Sequence, residues 1–416
     1  MEKPTHPESI RIEDYDYPLP EEKIAQFPLQ SRDRSKLLVC RDGIISEDIF
    51  SNLAKQIPQN SLIIFNETRV VHARLLFQKA SGSQVEIFCL EPLWPFTDHQ
   101  QAFQQKKEAE WKCLVGNSKR WKSGKIEMES HHNGLSVLLL AERIERFEGG
   151  ASRVRFCWEP ENFTFGQVLE VLGKIPLPPY IHRQAVSQDE QTYQTIYARQ
   201  DGSVAAPTAG LHFTEEVMAS LAVINTEILK FTLHVGAGTF RPVVAENLSG
   251  HEMHAEEVYL PVESVEQLKS ALHKPVIAVG TTTTRLLESL YWHGVKVIFG
   301  QSSAPLMNVS QWDPYGELKK NHVSREEALQ AVISGCKETG TEALQGRTSL
   351  LIAPGYQFRF PDLLITNFHQ PKSTLLLLIA AFIGEDWKKA YQFAMENGFR
   401  FLSYGDSCLF YKKSTF

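Results

Sequence analysis

Histidines set in loops of small residues are the first feature of this sequence that could do chemistry. Val204-Ala-Ala-Pro-Thr-Ala-Gly-Leu-His-Phe213 carries His212, and Thr232-Leu-His-Val-Gly-Ala-Gly-Thr-Phe240 carries His234. An imidazole titrates near neutrality, so either ring is a candidate general base, and either is equally a satisfied core histidine. Thr214 with the acids after it reads as a helix start, and a Gly-rich loop aimed at a helix N-terminus presents free N–H groups to a polar ligand. Gly236 and Gly238 let backbone or ligand approach without a Cβ in the way. His251 and His254 lie three apart around Glu252 and Met253, but the H-E-x-x-H zinc pattern is not met, so hydrogen bonding or acid/base work is the better reading. Gly280-Thr-Thr-Thr-Thr-Arg285 follows a strand and opens a helix. It lacks the spacing and lysine of a triphosphate loop and is read as a turn offering hydroxyls and amides.

These residues need elements to position them. The buried runs 62–65, 276–279, 350–353 and 363–366 read as strands that break into polar ends, such as Asn66-Glu-Thr-Arg69 and Asn367-Phe-His369, and ligands favour the carboxyl ends of strands in α/β folds. Helices are expected at 165–172, ending at Gly173, and at 324–336, where Ser324 and Glu327 form a capping box. The longest apolar run, 375–383, is too short to cross a bilayer. Between about Leu75 and Thr164 the texture changes to short alternating segments separated by glycine turns, the signature of an antiparallel barrel or sandwich. The expected fold is therefore a mixed α/β main domain, 1–74 and 165–416, with a small antiparallel β-barrel domain inserted at 75–164. The insert carries Lys112, Lys119, Arg120, Lys122 and Lys125 near Trp111 and Trp121, material suited to a nucleic-acid backbone and bases or, alternatively, a solvated barrel face.

Composition bounds the classes. The 416 residues are 43% hydrophobic and 22% charged, as in a soluble globular protein, and 43 Lys+Arg against 49 Asp+Glu give a net charge of −6, which argues against non-specific coating of nucleic acid. Six cysteines lack metal or disulfide spacing, and no basic leader precedes an apolar run, so a cytoplasmic protein is expected.

The ordered motifs resemble a known family. Asp14, Asn66 to Arg69, Pro176-Leu-Pro-Pro-Tyr180, Ala205 to Phe213, Leu233 to Phe240, His251 to Glu256, Gly280-Thr-Thr, Arg285, Pro354-Gly-Tyr356, Thr366 to His369, Ser373-Thr-Leu375 and Ser403-Tyr-Gly-Asp406 are similar to the S-adenosylmethionine:tRNA ribosyltransferase-isomerases of queuosine biosynthesis. The resemblance implies transfer and isomerisation of the ribosyl moiety of S-adenosylmethionine onto 7-aminomethyl-7-deazaguanine at the tRNA wobble position, giving epoxyqueuosine with release of adenine and methionine. It implies S-adenosylmethionine as cosubstrate with no metal or flavin, and as partner the anticodon loop of tRNAs with a GUN anticodon. A monomer without membrane association is expected.

The sulfonium acidifies the neighbouring C5′ hydrogens, so a base is required. His212, His234, His254 and His369 are candidates with Glu256 as a carboxylate alternative, and His212 is preferred because it sits in the longest motif. Asn367, Asp406 or Thr208 would assist departure of adenine. Phe213, Phe240, Tyr404 and Glu256 would face the sulfonium. Ala209, Gly210, Gly236, Gly238, Thr239, Gly280, Thr281, Thr282, Ser373 and Thr374 complete the expected cosubstrate site. Arg69, Arg74, Tyr180, Arg183 and Arg285 are the expected RNA contacts. Gln370, His182 and Asp201 depart from the family pattern, and 300–346 is longer than usual. The alternatives are a diverged or inactive paralogue that binds tRNA or acts on another modified base, a tRNA-binding protein without turnover, and a methyltransferase, although no glycine-rich Rossmann unit stands near the N-terminus.

Overall fold

The computed structural model describes residues 6–79, 82–132, 134–148, 150–234, 236, 243 and 245–413. Among them, ten strands form one sheet in the spatial order Leu306–Val309, Ala343–Thr348, Glu256–Pro261, Glu227–His234, Leu62–Asn66, Val276–Val279, Leu363–Asn367, Ser407–Tyr411, Lys36–Arg41 and Ile44–Ile49. The four strands from Glu227–His234 to Leu363–Asn367 are parallel neighbours. Three of them are buried along their whole length, which is why they read as unbroken apolar runs.

Alternation still sorts their side chains. Leu62, Ile64, Val276, Ala278 and Leu364 face the larger core with the helices Thr281–Ile298 and Thr374–Ile383. Ile63, Phe65, Ile277, Val279 and Ile365 face the opposite core with Phe50, Phe213, Val217 and Leu221. The capping predictions hold. Thr214 accepts from Val217 N at the start of Glu215–Val223, and Ser324 and Glu327 exchange both bonds of a capping box at Arg325–Glu338. No helix among the described residues is long and apolar enough to cross a membrane.

A six-stranded antiparallel sheet occupies the change of texture, in the order Arg74–Gln78, Gln84–Trp94, Glu108–Gly116, Ala151–Glu159, Leu135–Arg146 and Lys125–His132. Its two outer strands pack against each other, so the sheet curls into a nearly closed barrel. Two sequence expectations change here. Trp111 and Trp121 are buried in the barrel core and so are not surfaces for bases. The helix Phe165–Leu172 was expected to resume the main domain, yet it puts Phe165, Val168, Leu169 and Leu172 into the barrel core.

A charged latch holds the barrel to the large sheet. His99 Nδ1 lies 2.7 Å from Glu257 Oε2, and Arg347 Nη2 donates to Glu257 Oε1 at 2.9 Å. Burial raises the Glu257 pKa, but the bonds from His99 and Arg347 outweigh it and hold the carboxyl below its usual range.

The helices Thr281–Ile298 and Arg325–Glu338 touch through Gly294, where a Cβ would stand 2.3 Å from the backbone oxygen of Ala328. Gly294→Ala gains about 1 kcal/mol of helix propensity, but overpacking against backbone costs about 1–3 kcal/mol because the neighbour cannot rotate away. Urea unfolding of G294A should show a net loss of up to about 2 kcal/mol, and raised stability would refute this close approach.

Candidate active site

The carboxyl ends of the parallel strands converge on one cavity of about 710 Å³, part of it open to solvent. Val279 and Gly280 come from one strand end, Thr366 to Gln370 from the next, and Ala205 to Ala209 from the loop that leads into the short helical turn Thr208–His212. Tyr180, Ser373, Leu402 and Ser403 close the wall. Gly280 has φ +92°, a conformation that favours glycine, and its N–H donates to Ile365 O at 2.8 Å. The chain can therefore turn directly from the strand Val276–Val279 into the helix Thr281–Ile298, whose first residues Thr281 and Thr282 line the cavity. The first-turn N–H groups of a helix have no partners within it, so this end suits a polar ligand.

Asn367 sits at the centre of this geometry. Its Nδ2 lies 3.1 Å from His212 Nε2, while His212 Nδ1 lies 2.9 Å from Ser35 Oγ and 3.4 Å from the carbonyl of Arg32. A carbonyl only accepts, so the proton of the neutral imidazole belongs on Nδ1, and Nε2 must accept from the Asn367 amide. This network fixes the amide, leaving Asn367 Oδ1 buried with no hydrogen-bond partner among the described residues. An unsatisfied acceptor on a cavity wall is a ligand signal.

His369 lines the same wall, with Nε2 3.0 Å from Thr366 Oγ1. Tyr391 OH accepts from its N–H at 3.1 Å, and Tyr17 OH donates to its carbonyl at 2.5 Å, so both ends of its peptide are clamped. Burial drives the His369 pKa down to about 3. Burial likewise drives His212 down to about 4, with Arg400 and Arg32 adding to the effect and the Arg32 carbonyl opposing it. Tyr180 donates to or accepts from Ser403 Oγ at 2.5 Å, and burial pushes its hydroxyl well above the usual range.

Of the other expected cosubstrate residues, Thr208, Ala209, Gly280, Thr281, Thr282 and Ser373 line the cavity. Ser373 also caps the helix Thr374–Ile383, and Thr374, the first residue of that helix, is not on the wall. Gly210 packs where a Cβ would meet Tyr197. Phe213 is in the core against Phe50 and Phe65, away from the wall, because its ring fills the space under the sheet. Tyr404 turns its hydroxyl to Asp189 at 2.8 Å. Gly236 has nothing near its Cβ direction, and Gly238, Thr239 and Phe240 lie outside the described residues.

The remaining charged candidates are engaged elsewhere. Asp406 accepts from the backbone of Lys36 at 3.1 Å and of Arg400 at 2.7 Å, holding the loop that leads into the chain's last strand. His234 bonds Thr68 Oγ1 at 3.1 Å and lies over Gly202, and burial, reinforced by neighbouring His99, lowers its pKa to about 3. His254, Glu256 and Arg285 form a separate cluster, with Nε2 to Oε1 at 3.5 Å and Nη1 to Oε2 at 3.1 Å. Arg69 faces Asp201 at 3.6 Å, Arg74 faces Glu86 at 3.1 Å, and Arg183 makes bonds of 2.6 and 2.8 Å to Asp189. Sequence reasoning gave no role to Thr366, Ser403 or Ser35. The first two stand inside the quoted motifs, whereas nothing in the sequence links Ser35 to His212.

A histidine with pKa near 6.5 unfolded and 3–4 folded binds fewer protons in the native state, so its contribution is full above pH 6.5 and is lost as pH falls toward the folded value. Between pH 6.5 and 4.5, urea unfolding of His212→Gln should therefore lose stability less steeply than the wild type, by up to about 1.4 kcal/mol per pH unit. Coincident slopes would refute a buried neutral His212.

Comparison with known proteins adds the family. The family described as queuosine biosynthesis protein matches residues 12–410. A relative from Halothermothrix orenii, named S-adenosylmethionine:tRNA ribosyltransferase-isomerase, is 37% identical over 406 residues, covering 96% of this chain and 99% of its own. Relatives of the same name from Natranaerobius thermophilus and Aromatoleum aromaticum are 37% and 38% identical, each over 96% of this chain and over 98% and 97% of their own lengths. A solved structure titled S-adenosylmethionine tRNA ribosyltransferase, from Thermotoga maritima, is 26% identical, covers 95% of this chain and 99% of its own, and has a TM-score of 0.44. The sequence matches carry the assignment: this chain belongs to the queuosine biosynthesis protein family.

Proposed function

We propose that this chain is an S-adenosylmethionine-dependent tRNA ribosyltransferase-isomerase. It moves and rearranges the ribosyl moiety onto 7-aminomethyl-7-deazaguanine at the wobble position, yields epoxyqueuosine, and releases adenine and methionine. The observation that carries this reading to the site is the buried, unpartnered Asn367 Oδ1 on the cavity wall. Such an acceptor suits the exocyclic amine of adenine. End-to-end matches to relatives bearing that enzyme name support the reading over a diverged or inactive paralogue.

The cavity wall holds no carboxylate, lysine or arginine among the described residues. The sulfonium is thus met by the ring of Tyr180 and by neutral dipoles. Of the four histidine candidates, His369 alone lies on the wall, and it is our choice of base. With its proton on Nε2 and donated to Thr366, Nδ1 carries the lone pair, and burial keeps the ring in that accepting form at neutral pH. His212 becomes a positioning residue for Asn367. No group of three or more metal-binding side chains occurs among the described residues, and no step here calls for one.

The same proposal includes tRNAs with a GUN anticodon as substrates. A monomer fits a cavity walled by one chain, and the cytoplasm fits six free cysteines, five of them buried.

Purified protein incubated with S-adenosylmethionine and tRNA bearing the aminomethyl base should release adenine and methionine only when that tRNA is present. Production of S-adenosylhomocysteine would indicate a methyltransferase, and retained tRNA binding without turnover would indicate a binding protein. In this assay His369→Gln should lower kcat by about 10²–10⁴ while leaving KM for S-adenosylmethionine near the wild-type value. A His369→Gln enzyme with normal kcat would remove this histidine from the chemistry.

A further inference from the structure

Ser403 borders the cavity on one side and a second, narrower cleft on the other, and that cleft is walled by Pro28, Leu29, Arg32 and Arg400. Immediately before Pro28 along the chain, Phe27 opens a groove shared with Ile24, Gln26, His182 and Arg183. The depressions thus follow one another outward from the cavity along residues 29 to 27. Phe27 is 55% exposed, and Leu29, two residues on, is 37% exposed.

A single exposed phenylalanine is ordinary, but this ring is held in place. The Arg183 guanidinium lies 4.0 Å from its centroid. Arg183 is itself immobilised by two bonds to Asp189, at 2.6 and 2.8 Å, and by a bond from its Nε to Gln26 O at 2.8 Å. The Gln26 side chain donates to Tyr180 O at 3.1 Å and accepts from His182 N at 2.9 Å. The ledge that carries Phe27 is therefore tied to the same extended segment whose Tyr180 lines the cavity. Arg183 is three positions after Tyr180, a span of at most about 10 Å.

We propose that Phe27, backed by Arg183, is a stacking platform for an unpaired anticodon-loop nucleotide next to the wobble base. This rests on the function proposed above. Recognition of RNA loops works by splaying bases out and stacking them on aromatic or guanidinium planes. If the wobble base enters the cavity, its neighbour leaves along the outward track and meets the next fixed aromatic plane, which is Phe27. Arg32, whose guanidinium donates to the carbonyls of Gln194 and Gln191 rather than to a carboxylate, lines the intervening cleft beside the Asp406-paired Arg400 and suits the phosphate between the two bases, whereas the exposed Glu21 and Glu22 border the groove itself and disfavour the backbone there. Arg183 is consequently a positioning residue. Its charge is already neutralised by Asp189, and what it contributes is the orientation of the ring.

The test uses the full-length chain and an anticodon stem-loop RNA with 2-aminopurine next to the wobble nucleotide. Wild-type protein should quench the 2-aminopurine fluorescence on binding. Phe27→Ala should abolish the quenching and raise the Kd for RNA at least about fivefold, the loss expected for one base-aromatic stack. Phe27→Trp should restore both, and binding of S-adenosylmethionine alone should be equal in all three proteins. Equal Kd and equal quenching in wild type and Phe27→Ala would overturn the platform, as would failure of Trp to rescue. Because quenching needs no turnover, it separates this outcome from failure of the proposed reaction, which would show as absent adenine and methionine release by the wild type with tRNA.

Discussion

The hydrogen-bonded series Ser35, His212 and Asn367 is the constraint on which the geometry of the cavity depends. Its middle member must stay neutral. A protonated His212 would present N–H groups to both neighbours, and the Asn367 amide would have to rotate, exchanging the acceptor on the cavity wall for a donor. Burial among Phe50 and the surrounding core supplies the energetic reason that it does not, since desolvation opposes the charged form. The packing of one face of the central sheet therefore decides the polarity of a single oxygen at the end of a strand.

The fold places that oxygen where several weak constraints reinforce one another. Parallel strands buried on both faces leave their polar residues only at their carboxyl ends, so Asn66, Gly280 and Asn367 fall at adjacent ends of the sheet. Asn66 ties its own strand to the next by donating to Leu233 O at 2.9 Å and accepting from Leu233 N at 3.1 Å. Gly280 begins a helix without an intervening loop. The wall is consequently built from element ends rather than long loops, which limits how far its groups can drift.

Much of this was legible in the sequence, and what was not has identifiable causes. Unbroken apolar runs with polar ends marked three of the central strands, and alternation with glycine turns marked the barrel, but the run 350–353, which reads the same way, is buried without forming a strand. Asn367, His369, Thr208 and Thr281 were recoverable because they sit at strand ends or in small-residue loops, where side chains are free to face a ligand. Phe213 and Tyr404 lie in equally suggestive motifs but turn away, one into the core and the other to Asp189, and a motif does not encode the direction of a side chain. Trp111 and Trp121 misled for a related reason. Trp111 alternates with Lys112 along its strand, so the lysine turns outward because the tryptophan faces the core, and Trp121, in the turn before the next strand, enters the same core with its Nε1 donating to Gly124 O at 2.9 Å. Ser35 was invisible because its partner is far along the chain.

The distribution of charge completes the argument. Glu256 with Arg285, Asp406 with Arg400, Arg183 with Asp189 and Arg69 with Asp201 are all paired off away from the cavity wall. The proposed reaction brings together a cationic cosubstrate and a polyanion, and a wall bearing a fixed charge of either sign would bind one of them tightly and repel the other. Neutral donors and acceptors in a mostly buried cavity avoid that conflict while still acting strongly at low local dielectric. With a net charge of −6 over the whole chain, attraction for tRNA has to come from local arginines outside the cavity rather than from the protein's overall field. Affinity for the RNA and chemistry on its base are thereby assigned to different residues, and the neutral cavity wall is what keeps the two apart.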